Sequence, residues 1–310
     1  MSGAPRQHAT AFAPASVGNV AIGFDILGFA IDTLGDRVTV SRLEAPGVEV
    51  SAVRGIAGEL PREAQDNTAG RALLALRERL GLRHGFEARI EKGIPLGSGM
   101  GGSAASCVAA LVAANAVLEQ PASIDVLYRC ALRGESAASG AEHGDNVGPM
   151  LLGGLVLATH DRLIPIPVPA GLTCVLVHPH QVLETREARA VLQRSFELPQ
   201  FVEQSANLAL VLAGCYRNDL EAIRAGLRDV LVEPLRAPLV GGFGPVKAAA
   251  LAQGALGASI SGGGPSVFAW CTEDRSAAIA GAMEDAFRKA AIGCDVWISP
   301  VNAPAARVVA

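Results

Sequence analysis

The chain has 310 residues, of which 50% are hydrophobic and 18% charged, with a formal net charge of −4. That is apolar material enough for a packed core and too much for a disordered chain. With no Lys/Arg run and no basic stripe, the sequence argues against nucleic acid and against a membrane surface as partners.

In chain order, residues 1–10 are short and polar and do not form a signal peptide. Residues 8–13 alternate up to Pro14 and predict a first strand. Residues 36–43 and 48–52 repeat the alternation through Val38, Val40, Val48 and Val50, predicting two more. Residues 67–80 carry apolar side chains at helical spacing and stop at Gly81, a residue suited to a helix C-terminus. Phe86, Ala88 and Ile90 mark a strand that leads into a glycine-rich stretch, and a helix is expected from Ser103. Its apolar body, residues 104–118, carries Asn115 and is shorter than the ~20 residues a membrane span needs.

A helix over 123–136, a loop over 139–149 and a strand over 151–158 follow. The spacing Pro165, Pro167, Pro169 marks a change of region, which divides the chain into 1–165 and 166–310. Beyond it the pattern predicts a strand at 172–177 and three helical stretches between 185 and 230. Two short strands (258–261 and 266–271), a helix (276–290) and a strand (295–299) finish the chain. The fold class expected is α+β in two halves. Six scattered cysteines without a CxxC fit reduced thiols in a cytoplasmic protein.

The stretch Pro95-Leu96-Gly97-Ser98-Gly99-Met100-Gly101-Gly102-Ser103 sits between a predicted strand and a helix. Glycines there let backbone N–H groups approach an anion, and a helix N-terminus adds favourable potential. The stretch is not a Walker A loop, because Ser103 stands where the lysine should be. Gly97, Gly99 and Gly102 match GxGxxG, but some 90 residues precede them and the nearest acid, Glu119, lies at the far end of the helix. A dinucleotide turn is disfavoured on both counts. A plain packing turn remains possible on the loop alone.

Two companions change the weighing. PASVGNVAIGFDILG (14–28) places Asn19 and Asp25 among glycines, and Gly262-Gly263-Gly264-Pro265 turns between two apolar strands. Taken with the central loop, in this order, they resemble the signature set of the GHMP kinases. The resemblance spans nearly the whole chain and extends to Gly134-Glu135, HGDNVGPMLLGG (143–154), EARAVL (187–192) and EPLR (233–236). It implies a two-domain fold, the first domain resembling part of a ribosomal protein and the second ferredoxin-like, with the site between them. Within the family the motifs are closest to the branch that transfers the γ-phosphoryl of ATP to the side-chain hydroxyl of L-homoserine, for threonine synthesis. Other acceptors in the family, mevalonate, shikimate or a sugar, are the rival reading. A nucleotide-binding relative without catalysis is a second rival.

The resemblance also assigns roles. Pro95, Gly97, Ser98, Gly99, Met100, Gly101, Gly102 and Ser103, framed by Gly262, Gly263 and Gly264, would hold ATP, with Asn67 and Thr68 at the adenine. Ser103 and Glu135 would hold Mg²⁺, a hard cation content with two protein oxygens plus phosphate and water. Arg189 and Arg236 would take the substrate carboxylate, and Asn19 and Asp25 the amino and hydroxyl end, with His143 and Asn146 beside them. Asp145 lies where related kinases place a catalytic base. The family's paired serines appear here as Gly102-Ser103, and its GSGP as Gly262-Gly263-Gly264-Pro265, which removes two hydroxyls but no backbone N–H. A homodimer is the family expectation.

Overall fold

The computed structural model describes residues 6–56, 60–139 and 142–309; residues 1–5 of the predicted polar start and 140–141 of the predicted loop lie outside them. The first strand does not end at Pro14. β1 (His8–Gly18) and β2 (Leu27–Leu43) pair antiparallel from His8↔Ser41 to Gly18↔Gly28. A register shift between Pro14 and Ala15 absorbs the proline, which has no N–H to give to a ladder. Extending both strands brings the tight turn over residues 19–26 to one end of the sheet.

β3 (Val48–Gly55) is followed by α1 (Thr68–Leu80), capped by Asn67, whose side chain accepts from the Ala69 and Gly70 N–H groups. Gly81 closes the helix in the left-handed region, at φ 61°. β4 (Gly85–Lys92) pairs antiparallel with β2 and parallel with β3, and delivers the chain to the glycine loop. α2 (Gly102–Ala116) runs between the sheet and helices α1 and α3 (Ile124–Ser139). Ten of its residues are buried, and its many alanines allow that close approach on all sides.

The predicted strand over 151–158 is shorter than its pattern. Val147–Leu152 forms a helix, α4, and only Leu155–Ala158 forms β5. Gly153 and Gly154, at φ 77° and 59°, turn the chain between them. β6 (Leu163–Ile166), hidden from the pattern by Pro165, pairs with β5 at the edge of the same sheet, where a proline is tolerated.

The second half opens with β7 (Leu172–Pro179), then α5 (Thr185–Ala190), α6 (Leu198–Arg217) and α7 (Leu220–Gly226). Two helices that the pattern did not mark follow, α8 (Glu233–Arg236) and α9 (Phe243–Ala252). Glycines and Pro245 around the start of α9 read as loop, yet Pro245 sits in its first turn, where no N–H is needed. β8 (Gly257–Ile260), β9 (Val267–Thr272), α10 (Glu273–Lys289), β10 (Cys294–Pro300) and β11 (Arg307–Val309) complete the chain.

The first sheet runs β11-β1-β2-β4-β3, with β5 and β6 alongside β2. The second is antiparallel, in the order β10-β7-β9-β8. β7 is buried on both faces. Cys174 and Leu176 join the large core of the first half, where Phe29 meets Phe268 and Trp270 at 5.9 and 5.5 Å between ring centroids. Val175 and Val177 face the other way, into a core built with α9 and α10. The two halves are thus packed through a shared apolar layer, and the end of the chain crosses back to pair with β1.

Candidate active site

A cleft of about 240 Å³ opens between the halves and is lined from both. The glycine loop forms one wall. Gly97, Gly99 and Gly101 all adopt positive φ (60°, 75° and 69°), the region where a side chain is strained. Gly101 is the N-cap of α2 and has no side chain to satisfy the first-turn N–H groups, which leaves donors at the loop–helix junction for an anion. The second half grips this loop from the far side. Ser261 Oγ donates to Gly99 O at 2.7 Å, Ser266 N to Ser98 O at 3.2 Å, and Leu183 N to Gly97 O at 3.1 Å.

Ser103 and Glu135 meet as the sequence predicted, with Oγ donating to Oε2 at 3.0 Å. Burial pushes the Glu135 carboxyl up to about 7, against the lowering effect of the Ser103 hydrogen bond. A hydroxyl and a carboxylate on one cleft wall, beside a helix N-terminus, are a donor set of hard oxygens suited to Mg²⁺ with a phosphate. The hydroxyl missing at 102 does not strip this wall. A β-carbon there would lie 3.3 Å from Ile94 Cγ2 and 3.5 Å from Lys92 Nζ, on the interior side.

The turn after β1 is unusual backbone. Asn19, Val20, Ala21 and Asp25 all have positive φ (68°, 43°, 59° and 61°), a conformation that L-residues keep only when their surroundings impose it. Asn19 is bonded on three sides. Its Oδ1 accepts from Asp25 N at 2.9 Å, its Nδ2 donates to Gly262 O at 2.8 Å, and its own N–H donates to Asp145 Oδ2 at 3.1 Å. One end of its amide holds Asp25 and the other the Gly262 carbonyl of the second half, so Asn19 ties the turn to the far wall of the cleft.

Asp25 receives Arg189 as a two-pronged pair, Nη1 to Oδ2 at 3.1 Å and Nη2 to Oδ1 at 2.9 Å. His143 Nδ1 stands 3.2 Å from the same Oδ2. Burial lowers the His143 imidazole below its ordinary range, more than the neighbouring Asp25 raises it. Arg236 is buried, donating from Nε to Ala188 O at 3.0 Å and from Nη1 to Gly262 O at 2.9 Å. The Phe24 ring lies under both guanidinium groups, 5.7 Å from Arg189 and 5.3 Å from Arg236. Two guanidinium groups and a carboxylate therefore cluster at one end of the cleft, with Arg189 and Asp25 in direct contact.

Between that end and the loop sit Asp145 and Asn146. Asn146 Nδ2 donates to Asp145 Oδ1 at 3.3 Å, and Ser16 Oγ donates to Asn146 Oδ1 at 2.8 Å. Burial raises the Asp145 carboxyl to about 7, helped by the nearby negative charge of Asp25. The same carboxyl holds Asn146 and the Asn19 backbone in place.

Three of the expected nucleotide residues stand elsewhere. Met100 is fully buried, and its side chain belongs to the core. Asn67 spends its side chain on the α1 cap and on Pro61 O, at 2.8 Å, and does not line the cleft; its neighbour Thr68 donates to Ser103 O at 3.2 Å. Thr68 does not line the cleft either, and every remaining predicted residue does. The pattern missed Ser16, Phe24, Leu183 and Thr185, and the buried Asp36, Lys92 and Ser106 behind the loop. A lysine ending the strand just before a glycine loop was the one available signal for the last group.

Comparison with known proteins agrees with this geometry. The GHMP kinases N terminal domain matches residues 67–154 and the GHMP kinases C terminal domain residues 211–289. A homoserine kinase of Xanthomonas campestris pv. campestris is 59% identical over 98% of this chain and 95% of its own. The chain belongs to the GHMP kinases, among the homoserine kinases. A homoserine kinase of Xylella fastidiosa is 58% identical, over 99% of this chain and 96% of its own. The crystal structure of homoserine kinase from Cytophaga hutchinsonii superposes with a TM-score of 0.94 at 41% identity, covering 98% of each chain. Like its family, the protein is an ATP-dependent kinase acting on an alcohol group, built on the two-domain GHMP kinase fold.

Proposed function

We propose that this cleft carries the γ-phosphoryl of ATP to the side-chain hydroxyl of L-homoserine, giving O-phospho-L-homoserine and ADP in threonine biosynthesis. One observation carries the choice of acceptor: a carboxylate and two guanidinium groups, Asp25, Arg189 and Arg236, line the same cleft, so that both an ammonium and a carboxylate can find a charged partner there. A sugar, shikimate or mevalonate has no ammonium for Asp25. On this reading Asp25 takes the ammonium and the two arginines the carboxylate, an arrangement for which guanidinium groups are suited. The acceptor hydroxyl is thereby brought beside Asp145 and Asn146.

The glycine loop and the N-terminus of α2 hold the phosphates through backbone N–H groups, and Ser103 and Glu135 hold Mg²⁺. Bound there, the cation supplies neutralisation of the phosphate charge, the main need of a loose phosphoryl transfer. The acceptor oxygen forms its bond to the γ-phosphorus as the bond to the β–γ bridging oxygen breaks. Asp145, raised toward neutrality, accepts the hydroxyl proton. Six free cysteines, five of them buried, support a reducing, cytoplasmic setting. Among the described residues no helix is long and apolar enough to cross a membrane. The homodimer rests on the family resemblance and on the prevalence of two-fold pairs.

The test is ADP release, by coupled assay, with L-homoserine set against mevalonate, shikimate and galactose. Turnover is expected with L-homoserine at least a hundredfold above the others, roughly the discrimination of one lost charge pair. ATP binding without turnover of L-homoserine would overturn the assignment and leave a nucleotide-binding relative.

A further inference from the structure

Behind the glycine loop lies a buried charge pair whose own side chains do not line the cleft. Lys92, the last residue of β4, is 2% exposed, and Asp36 of β2 is fully buried. Lys92 Nζ donates to the Asp36 carboxylate, to the Gly102 carbonyl, and to Ser106 Oγ at 3.0 Å, which uses all three ammonium protons. Asp36 is as fully engaged. Its Oδ2 accepts from Ser106 Oγ at 2.6 Å, and its Oδ1 accepts from the Gly93 and Ile94 N–H groups at 2.9 and 3.3 Å.

The targets of these bonds are the two ends of the phosphate loop. Asp36 ties down residues 93–94, where the chain enters, and Lys92 ties down Gly102, where it leaves into α2. As a source of stability the pair is weak, because desolvating two charges costs about what their attraction returns. As a positioning device it is specific. A trans peptide points its C=O and the next N–H in opposite directions. Holding Gly102 O back against Nζ fixes the direction of the Ser103 N–H, one of the first-turn donors that the helix itself leaves without a partner. It also fixes the start of the helix from which Ser103 Oγ reaches Glu135.

We propose that Lys92, through Asp36 and Ser106, is a positioning residue for phosphoryl transfer: it sets the Gly102–Ser103 peptide so that the α2 donors and Ser103 Oγ meet the phosphates of ATP. The inference rests on the ATP reading of the loop. It predicts a defect confined to the nucleotide side of the reaction.

The test pairs a mild variant with a charge-free one. Ser106→Ala removes one bridge and leaves the ion pair. The double variant Lys92→Met/Asp36→Asn removes both charges, while the amide oxygen introduced at position 36 still accepts from Gly93 and Ile94, so no buried charge is stranded. Initial rates are taken per folded enzyme, at a temperature where circular dichroism matches the wild type. The KM for MgATP is expected to rise and kcat to fall by about tenfold each in the double variant, with the KM for L-homoserine within about twofold. Ser106→Ala moves the same two parameters in the same direction by a smaller factor. Titration with a non-hydrolysable ATP analogue and Mg²⁺ reads the loop without any acceptor, so a failure of L-homoserine as substrate does not hide the answer. Variants that lose thermal stability but keep wild-type KM for MgATP, kcat and analogue affinity would show a merely structural pair. A parallel rise in both KM values would show general distortion, and either result overturns the proposal.

Discussion

Replacing Asp25 by Asn tests the substrate end most directly. In the structure its carboxylate is held by Arg189 through two hydrogen bonds of 2.9 and 3.1 Å and approached by His143 at 3.2 Å. The Asp25 side chain is 19% exposed, so its charge is mostly shielded from water. On the proposed reading it must share that charge with the substrate ammonium. A charge-assisted hydrogen bond contributes about 1.5–3 kcal/mol, which is roughly 10- to 150-fold in affinity. The same substitution frees Arg189 from its internal partner and so favours the incoming carboxylate. The net rise in KM for L-homoserine is therefore expected near the lower figure, about tenfold. The decisive comparison uses γ-hydroxybutyrate, which keeps the carboxylate and hydroxyl and lacks the ammonium. Asp25→Asn should leave its kcat/KM unchanged or raised. An equal loss with both acceptors in the coupled ADP assay would refute the pairing of Asp25 with the ammonium.

Three further outcomes are expected. Glu135→Gln keeps the shape of the Ser103 contact but removes the charge, and should lower kcat/KM for MgATP by about a hundredfold, the scale of losing one electrostatic group; unchanged Mg²⁺ dependence would count against Ser103 and Glu135 as its holders. Asp145 and Glu135 carry folded-state values of about 7, above their ordinary 3.8 and 4.5. Raised carboxyls give stability that is present below the unfolded values and lost as pH rises through the folded ones. Asp145→Asn should therefore melt higher than wild type near pH 8, with the gap closing toward pH 4, while kcat falls more than about tenfold and the rise of rate with pH through 7 disappears. Gly99→Ala would set a β-carbon 2.5 Å from Ser261 O and 2.6 Å from Gly264 O at φ +75°. Gly171→Ala has the same φ and open space around it. The second should cost about 1 kcal/mol from strain alone and the first clearly more, read as the difference in melting temperature.

Much of this molecule is legible in its sequence because local rules and global structure agree there. The glycine loop stands out as glycines and hydroxyls between a strand and a helix, and Gly81 marks a helix end in the left-handed region. The misses share a cause. Pro14 lies inside a strand because a register shift against β2 accommodates it, and no one-dimensional pattern shows the partner strand. The family resemblance puts Asn67 at the adenine, and its work as the α1 cap shows only in the Ala69 and Gly70 N–H groups it accepts from. Lys92 and Asp36 look like surface charges at a strand end and a strand start. Their burial is a property of the sheet, since β2 and β4 pair to bring residues 36 and 92 together under the loop.

The contacts between residues 97–101 and 261–264 bear on how such enzymes can be recombined. Gly99 gives its carbonyl to Ser261 Oγ, and Gly262 N reaches back to Gly18 O, so each loop is shaped against the backbone of the other half. The two segments are far apart in sequence yet shape one another in space. A chimera of two relatives joined near residue 165 would inherit its phosphate loop from one parent and the mould for that loop from the other. Such hybrids should fold and still lose activity, and transplanting residues 257–266 along with the first half should restore it.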